Sequence, residues 1–120
     1  MPETPEKELG PAGIIAAYNE YINARASLYG ATEQELEAKE ALRKRENELL
    51  LSGAIIGKNT EARAAEIRNG SKTELEAVEN ARAQKAHALL QFDIAGMNLD
   101  CIKTLIRYGE LVHKQITVDV

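Results

Sequence analysis

The stretch that decides the fold is residues 89–116, which read LLQFDIAGMNLDCIKTLIRYGELVHKQI. It contains no proline, and its apolar residues recur at three- and four-residue steps, the spacing of a helix face. One set has steps of 4, 3, 4, 4, 3, 4 and 4, an eleven-residue repeat. This eleven-residue seam consists of Leu90, Ile94, Met97, Cys101, Leu105, Tyr108, Val112 and Ile116. A second set alternates steps of three and four. This seven-residue seam consists of Phe92, Ala95, Leu99, Ile102, Ile106, Gly109 and His113.

The two seams need two different partners. At 100° per residue they lie roughly 130° apart around the helix, so one other helix cannot cover both. We predict that the eleven-residue seam packs within the chain. We predict that the seven-residue seam joins subunits, because Ala95 and Gly109 permit close approach of like helices. The predicted oligomer interface comprises Phe92, Ala95, Leu99, Ile102, Ile106 and Gly109. The expected assembly is a homodimer or a higher even oligomer; the alternative is that the connector helix folds back over the free seam.

The remainder of the chain predicts two more helices. A long first helix is expected after Pro11 over 12–51, continuing through Gly30; the alternative is two helices in line that break near Gly30. A short helix over 60–68 is capped by Asn59. Asn69 and Gly70 are expected to close the short helix in the left-handed conformation. A capping box, Ser71 to Glu74, then starts the last helix, 72–115.

This order of helices predicts the fold class. We expect an all-α, coiled-coil-like antiparallel hairpin of two long helices with a short connector helix, packing into an oligomeric helical bundle. Its single domain spans 12–120 and follows a disordered leader, 1–11, which contains all three prolines.

Composition narrows the classes of function. The formal net charge is -4, so the chain is a poor nonspecific binder of nucleic acid. The single cysteine excludes an intramolecular disulfide and a multi-cysteine zinc site, and it suits a reducing compartment. No apolar run reaches the roughly 20 residues of a membrane span. We therefore predict a cytoplasmic protein that does not contact membranes.

The sequence contains no arrangement typical of an enzyme. It lacks a Ser/His/Asp order that would suggest a triad and a glycine loop that would bind phosphate. Cys101 is predicted to be a buried, inert thiol. We expect no catalytic residue, cofactor or metal. One alternative is a metal-binding helical bundle, since Glu110 and His113 have the Glu-x-x-His spacing of carboxylate metal sites.

The connector contains a candidate docking tip. Ile55 and Ile56 lie in a glycine-flanked loop near Lys58, Arg63 and Arg68, a mixed apolar and basic composition suited to contact with another protein. The competing interpretation is that the two isoleucines fill the gap between the helix ends. The same basic end supports another alternative function, that of a nucleic-acid accessory protein in recombination or replication.

Residues 57–67, GKNTEARAAEI, lie between the two long charged helices and resemble a junction of small phage and prophage proteins. In those proteins a G-K-N-x-E-x-R-like junction joins an acidic first helix to a final Leu-rich helix. The resemblance implies a phage-derived accessory protein without known catalytic residues. Here the motif predicts that Asn59 caps the short helix, that Glu61 lies at its positive end, and that Arg63 pairs with Glu66 or a neighbouring helix. The function expected is that of a non-enzymatic, self-associating helical interaction or scaffold module.

Overall fold

A computed structural model describes residues 10–118, with side chains described for 10–114. Helix α1 spans Pro11–Leu51, α2 spans Thr60–Gly70 and α3 spans Lys72–Val118; no strand occurs within 10–118. The prediction of two long helices and one short helix between them is confirmed. The observed ends differ from the predicted ones by at most three residues, and α1 passes through Gly30 unbroken. Of the predicted leader, residues 1–9 lie outside the described residues, and Pro11 begins α1.

The described residues divide into two compact units, and each pairs a segment of α1 with a segment of α3. Unit 1 contains 10–27 and 89–118. Unit 2 contains Leu28–Ala88. The segments run antiparallel in both units. In unit 1, Tyr18 contacts Lys103 and Tyr21 contacts Phe92. In unit 2, Glu35 pairs with Lys85, and Arg45 binds the carbonyl of Gly70.

The core of unit 1 is a seam of small and branched side chains. Ala17, Leu99 and Ile102 are buried together, and the side chains packed against them are Ile14, Tyr21 and Ile106. Both helices present these residues at alternating steps of three and four, the spacing of left-handed coiled-coil packing. The rings of Tyr21 and Phe92 are tilted by 33° with centroids 5.1 Å apart, a contact worth about 0.5–1.5 kcal/mol beyond the area it buries.

Unit 2 has an alanine-rich core that includes one buried carboxylate. Its buried apolar residues are Ala31, Leu49, Val78, Ala81 and Ala88. Glu35 is also buried, and its two oxygens lie 2.7 Å from Lys39 Nζ and 3.8 Å from Lys85 Nζ. The hydrogen bond from Lys39 lowers the pKa of Glu35; burial opposes this shift, and the charges of Lys39, Lys85 and Arg82 add to it. The carboxylate therefore links neighbouring turns of α1 and the facing turn of α3.

A single residue, Ser71, separates α2 from α3. Its N–H and its hydroxyl both donate to the carbonyl of Ile67, at 3.0 and 2.6 Å, and its own carbonyl accepts from Leu75 N–H. The expected left-handed ending is wrong, because among the described residues only Gly53 has a positive φ. The expected capping box is also replaced, since the Ser71 hydroxyl is used to close α2. Gly70 has a packing role instead: an added Cβ would lie 2.8 Å from Leu49 Cδ1.

The connector is held by the residues of its sequence motif. Asn59 Oδ1 accepts from Ala62 N–H at 2.7 Å, and Glu61 lies in the first turn of α2, as predicted. Arg63 does not pair with Glu66. Its Nε donates to the Gly57 carbonyl at 2.9 Å, while Glu66 Oε2 accepts from Gly57 N–H at 3.0 Å. Arg63 therefore binds the carbonyl of Gly57 and Glu66 binds its N–H. Both side chains hold the same residue of the connector and do not form an ion pair with each other.

Candidate interaction surface

The structure buries the seven-residue seam of α3 within unit 1 and leaves the eleven-residue seam exposed. Ala95, Leu99 and Ile102 of the seven-residue seam are buried in unit 1, and Ile106 and Phe92 are half-buried beside them. The predicted oligomer interface is therefore the intrachain contact. The physical reason is that its steps match those of Ile14, Ala17 and Tyr21 on α1. Gly109, the other small residue behind the prediction, is exposed, and an added Cβ would meet nothing within 4 Å. Oligomer formation itself stays a prediction.

The eleven-residue seam is the exposed one. Its large side chains are 39–67% exposed, and they are Leu90, Ile94, Met97, Leu105, Tyr108 and Val112. Cys101 is exposed as well, so the expectation of a buried thiol is wrong for the single chain. The side chain of Ile116, the last member, lies outside the described residues. The helix thus presents a second apolar seam that unit 1 does not cover.

The eleven-residue seam at the centre of this surface carries no charge over its described length. The outward positions from 90 to 112, which we call the α3 face, are Leu90, Gln91, Ile94, Met97, Asn98, Cys101, Thr104, Leu105, Tyr108, Leu111 and Val112. At 1.5 Å per residue they extend along about 33 Å of helix. The charged residues nearest to it are Asp93, which lies on the same side of the helix as Leu111, and then Asp100 and Arg107. A continuous apolar and uncharged surface of this length is typical of a protein–protein contact.

A shallow groove of mixed character runs beside the α3 face, between α3 and α1 of unit 1, and is lined in part by Met97 of that face. Lys103 Nζ lies 5.0 Å from the centroid of the Tyr18 ring, and its pKa is raised, first by hydrogen bonding to Tyr18 and then by the Tyr18 charge interaction. Asp93 and Asp100 line the same groove. Because two carboxylates and an ammonium group border it, this groove is less suited to an apolar partner than the α3 face.

Helix α1 has its own line of exposed apolar residues. Ile15 and Ile22, seven residues apart in unit 1, are both exposed. Tyr29 and Leu36 continue the same seven-residue spacing in the other unit and are also exposed. With Tyr18, which is also exposed, this line has three large side chains in unit 1, whereas the α3 face has seven. Ile15 and Ile22 therefore serve as matched controls for substitutions on α3.

The two isoleucines of the predicted docking tip differ in exposure. Ile55 is half-buried, whereas Ile56 is 80% exposed. Lys58, Arg63 and Arg68 are exposed, although the Arg63 side chain binds the Gly57 carbonyl. Sequence reasoning missed Leu51, the last residue of α1, which is also exposed. Its signal was a third consecutive leucine directly before the turn at Ser52 and Gly53.

One sequence-based alternative concerns a metal site, and one expectation concerns the absence of a membrane span. Within the described part of the chain, no group of three or more His, Cys, Asp or Glu side chains is placed to hold a metal ion. Glu110 and His113 are therefore not members of such a group. None of the helices described here combines the length and hydropathy needed to cross a bilayer.

Comparison with known proteins returns no match to a family model, to a curated protein or to a solved structure. The resemblance of the connector to phage proteins therefore stays a prediction.

Proposed function

We propose that this protein is a non-enzymatic helical module that self-associates through the α3 face and acts as a scaffold. The observation that carries the proposal is the uncharged, exposed seam from Leu90 to Val112. Burial of apolar surface contributes roughly 25 cal/mol per Å². In the single chain α1 covers the seven-residue seam alone, so the eleven-residue seam does not yet contribute this free energy. Contact with a second copy would recover it.

The composition of the α3 face supports a protein partner. Interface cores are depleted in charged residues and enriched in Tyr and Met, and Tyr108 and Met97 are the most exposed large apolar side chains of the face. Thr104, Asn98 and Gln91 are polar but uncharged, so burying them does not require a counter-charge. A helical bundle of two or more copies is the arrangement that this composition favours.

The connector motif, residues 57–67, suggests where the gene comes from and does not suggest a chemical reaction. We propose a phage-derived accessory role for the module, supported by the resemblance of residues 57–67. Gly57, Asn59 and Arg63 bind one another or the start of α2, so the motif supplies architecture and not a catalytic site. A cytoplasmic location is proposed with it, because an exposed thiol such as Cys101 is compatible with a reducing compartment.

Light scattering coupled to size-exclusion chromatography tests self-association directly. We expect at least twice the 13.2 kDa mass of one chain at micromolar concentration, decreasing on dilution. A mass of one chain throughout the dilution series would overturn the proposed function.

A further inference from the structure

The α3 face has the same spacing in both directions along the helix. From Leu90 to Val112 the eleven-residue seam within it follows steps of 4, 3, 4, 4, 3 and 4, and the middle residue is Cys101. Two copies of the face laid antiparallel therefore match residue for residue. Met97 lies opposite the partner's Leu105, and Ile94 lies opposite the partner's Tyr108. Cys101 is the one residue about which all seven seam residues from Leu90 to Val112 pair in this way.

We propose that two copies join through α3 in antiparallel orientation, about a two-fold axis that passes at Cys101. This inference rests on the proposed function, and it specifies which residues of the two copies lie opposite each other in the interface. A two-fold interface uses the same patch on both subunits, and when the two helices run antiparallel the patch must match its own reverse. The smallest apolar side chain of the seam lies at the centre, where two nearly straight helices approach most closely.

The charges that border the face favour the antiparallel direction. Asp93, Asp100, Arg107 and Lys114 recur every seven residues along one border, with the two acids in the first half and the two bases in the second. Antiparallel pairing about Cys101 brings Asp93 within about two residues, roughly 3 Å along the axis, of the partner's Arg107. Parallel pairing would bring this border against the partner's other border, which contains the uncharged Gln91 and Asn98, and would form no such pairs. Asp100 approaches its own copy near the axis, and Lys103 lies one turn away on the same helix to offset that repulsion.

The other exposed surfaces of unit 1 offer a second copy of the chain fewer apolar contacts than the α3 face does. The line of Ile15 and Ile22 on α1 is narrow, and the groove beside Tyr18 is bordered by Asp93 and Lys103. Among the described surfaces of unit 1, the α3 face combines the larger number of exposed apolar side chains with an uncharged central seam and a self-matching order.

Cysteine crosslinking tests the register, because the natural chain contains a single thiol. Under copper phenanthroline, Cys101 should form a disulfide-linked dimer at high yield. In a Cys101→Ser background, the variants Met97→Cys and Leu105→Cys should crosslink when mixed but not alone. Residues 97 and 105 face each other in the proposed register, whereas two copies of residue 97 lie about 12 Å apart, beyond the reach of a disulfide. Ile22→Cys in the same background is the control and should not crosslink.

The outcomes separate the register from the proposed function. Self-crosslinking of Met97→Cys and of Leu105→Cys, with no gain on mixing, would show parallel pairing and overturn the inference. An oligomer by light scattering without crosslinks at any of the three α3 positions would also overturn it, while self-association would stand. A single-chain mass would overturn the proposed function itself. Helical content and melting temperature of each variant, measured first, establish that the folded protein is being tested.

Discussion

Leu105 and Ile106 are neighbours in the chain but lie on different faces of α3. Leu105 is 49% exposed on the α3 face, whereas Ile106 packs against the buried cluster of Ala17, Leu99 and Ile102. Successive residues of a helix point about 100° apart, so one step along the chain separates the intrachain contact from the free surface. The same substitution at these two positions therefore distinguishes assembly from folding.

Leu105→Glu should dissociate the oligomer without unfolding the chain. An unpaired charge in an apolar interface costs several kcal/mol, whereas on the free α3 face the new carboxylate remains hydrated. We expect the mass by light scattering to fall to 13.2 kDa while the helical circular dichroism signal at room temperature persists. An unchanged oligomer would show that the α3 face is not the contact. Ile22→Glu, the control on α1, should leave the mass unaltered.

Ile106→Glu should act on folding. Ile106 lies against the core of unit 1, so the same charge must be buried or the contact between α1 and α3 must open. At a cost on the order of 3 kcal/mol, the Tm should fall by about 10 °C or more. Ile15→Glu, at an exposed isoleucine of the same unit, should change the Tm by a few degrees at most. Equal Tm values for these two variants would contradict the packing of the seven-residue seam on α1.

Two glycines should respond in opposite directions to alanine. A Cβ on Gly57 would lie 2.9 Å from the backbone nitrogen of Arg63, so Gly57→Ala should destabilise the protein by about 1–3 kcal/mol. Gly30 is helical, and a Cβ there meets nothing within 4 Å. Gly30→Ala should therefore stabilise the protein by about 0.5–1 kcal/mol, because alanine has the higher helix propensity. Urea denaturation measures both, and a destabilised Gly30→Ala would contradict an unbroken α1.

Glu35 should make the stability of unit 2 depend on acid pH. Its pKa lies below the ordinary value of 4.5, mainly because Lys39 donates a hydrogen bond to it. A lowered pKa stabilises the folded state above 4.5, and the contribution is lost as pH falls through the pKa of the folded state. The stability difference between the natural chain and Glu35→Gln should therefore shrink as pH falls below 4.5. Lys39→Gln should raise the pKa of Glu35, measured by carbon NMR titration; an unchanged pKa would show that the hydrogen bond is not its cause.

The sequence supports the helices better than it supports their contacts. The bounds of α1, α2 and α3 follow from local signals, such as Pro11 and the Asn59 cap, which act within a few residues. The assignment of the two seams of α3 could not be made from α3 alone, since both have helical spacing. The assignment depended on which seam the spacing of Ile14, Ala17 and Tyr21 on α1 matches, the seven-residue seam or the eleven-residue seam. The paired roles of Arg63 and Glu66 were missed for a similar reason, because both bind backbone groups that a residue pattern does not display.

Single substitutions should separate the two isoleucines of the connector. Ile55 is half-buried, so Ile55→Ser removes apolar contact and should lower the Tm by several degrees. Ile56 is largely exposed, and Ile56→Ser should leave the Tm nearly unchanged. If Ile56 and the neighbouring Leu51 form a docking surface, Ile56→Ser should weaken binding of a protein that co-purifies with the natural chain. Ile55→Ser, assayed well below its own Tm, should retain that binding. A large fall in Tm for Ile56→Ser would instead identify both isoleucines as filling the space between the helix ends, because a side chain that contacts only water contributes little to folding.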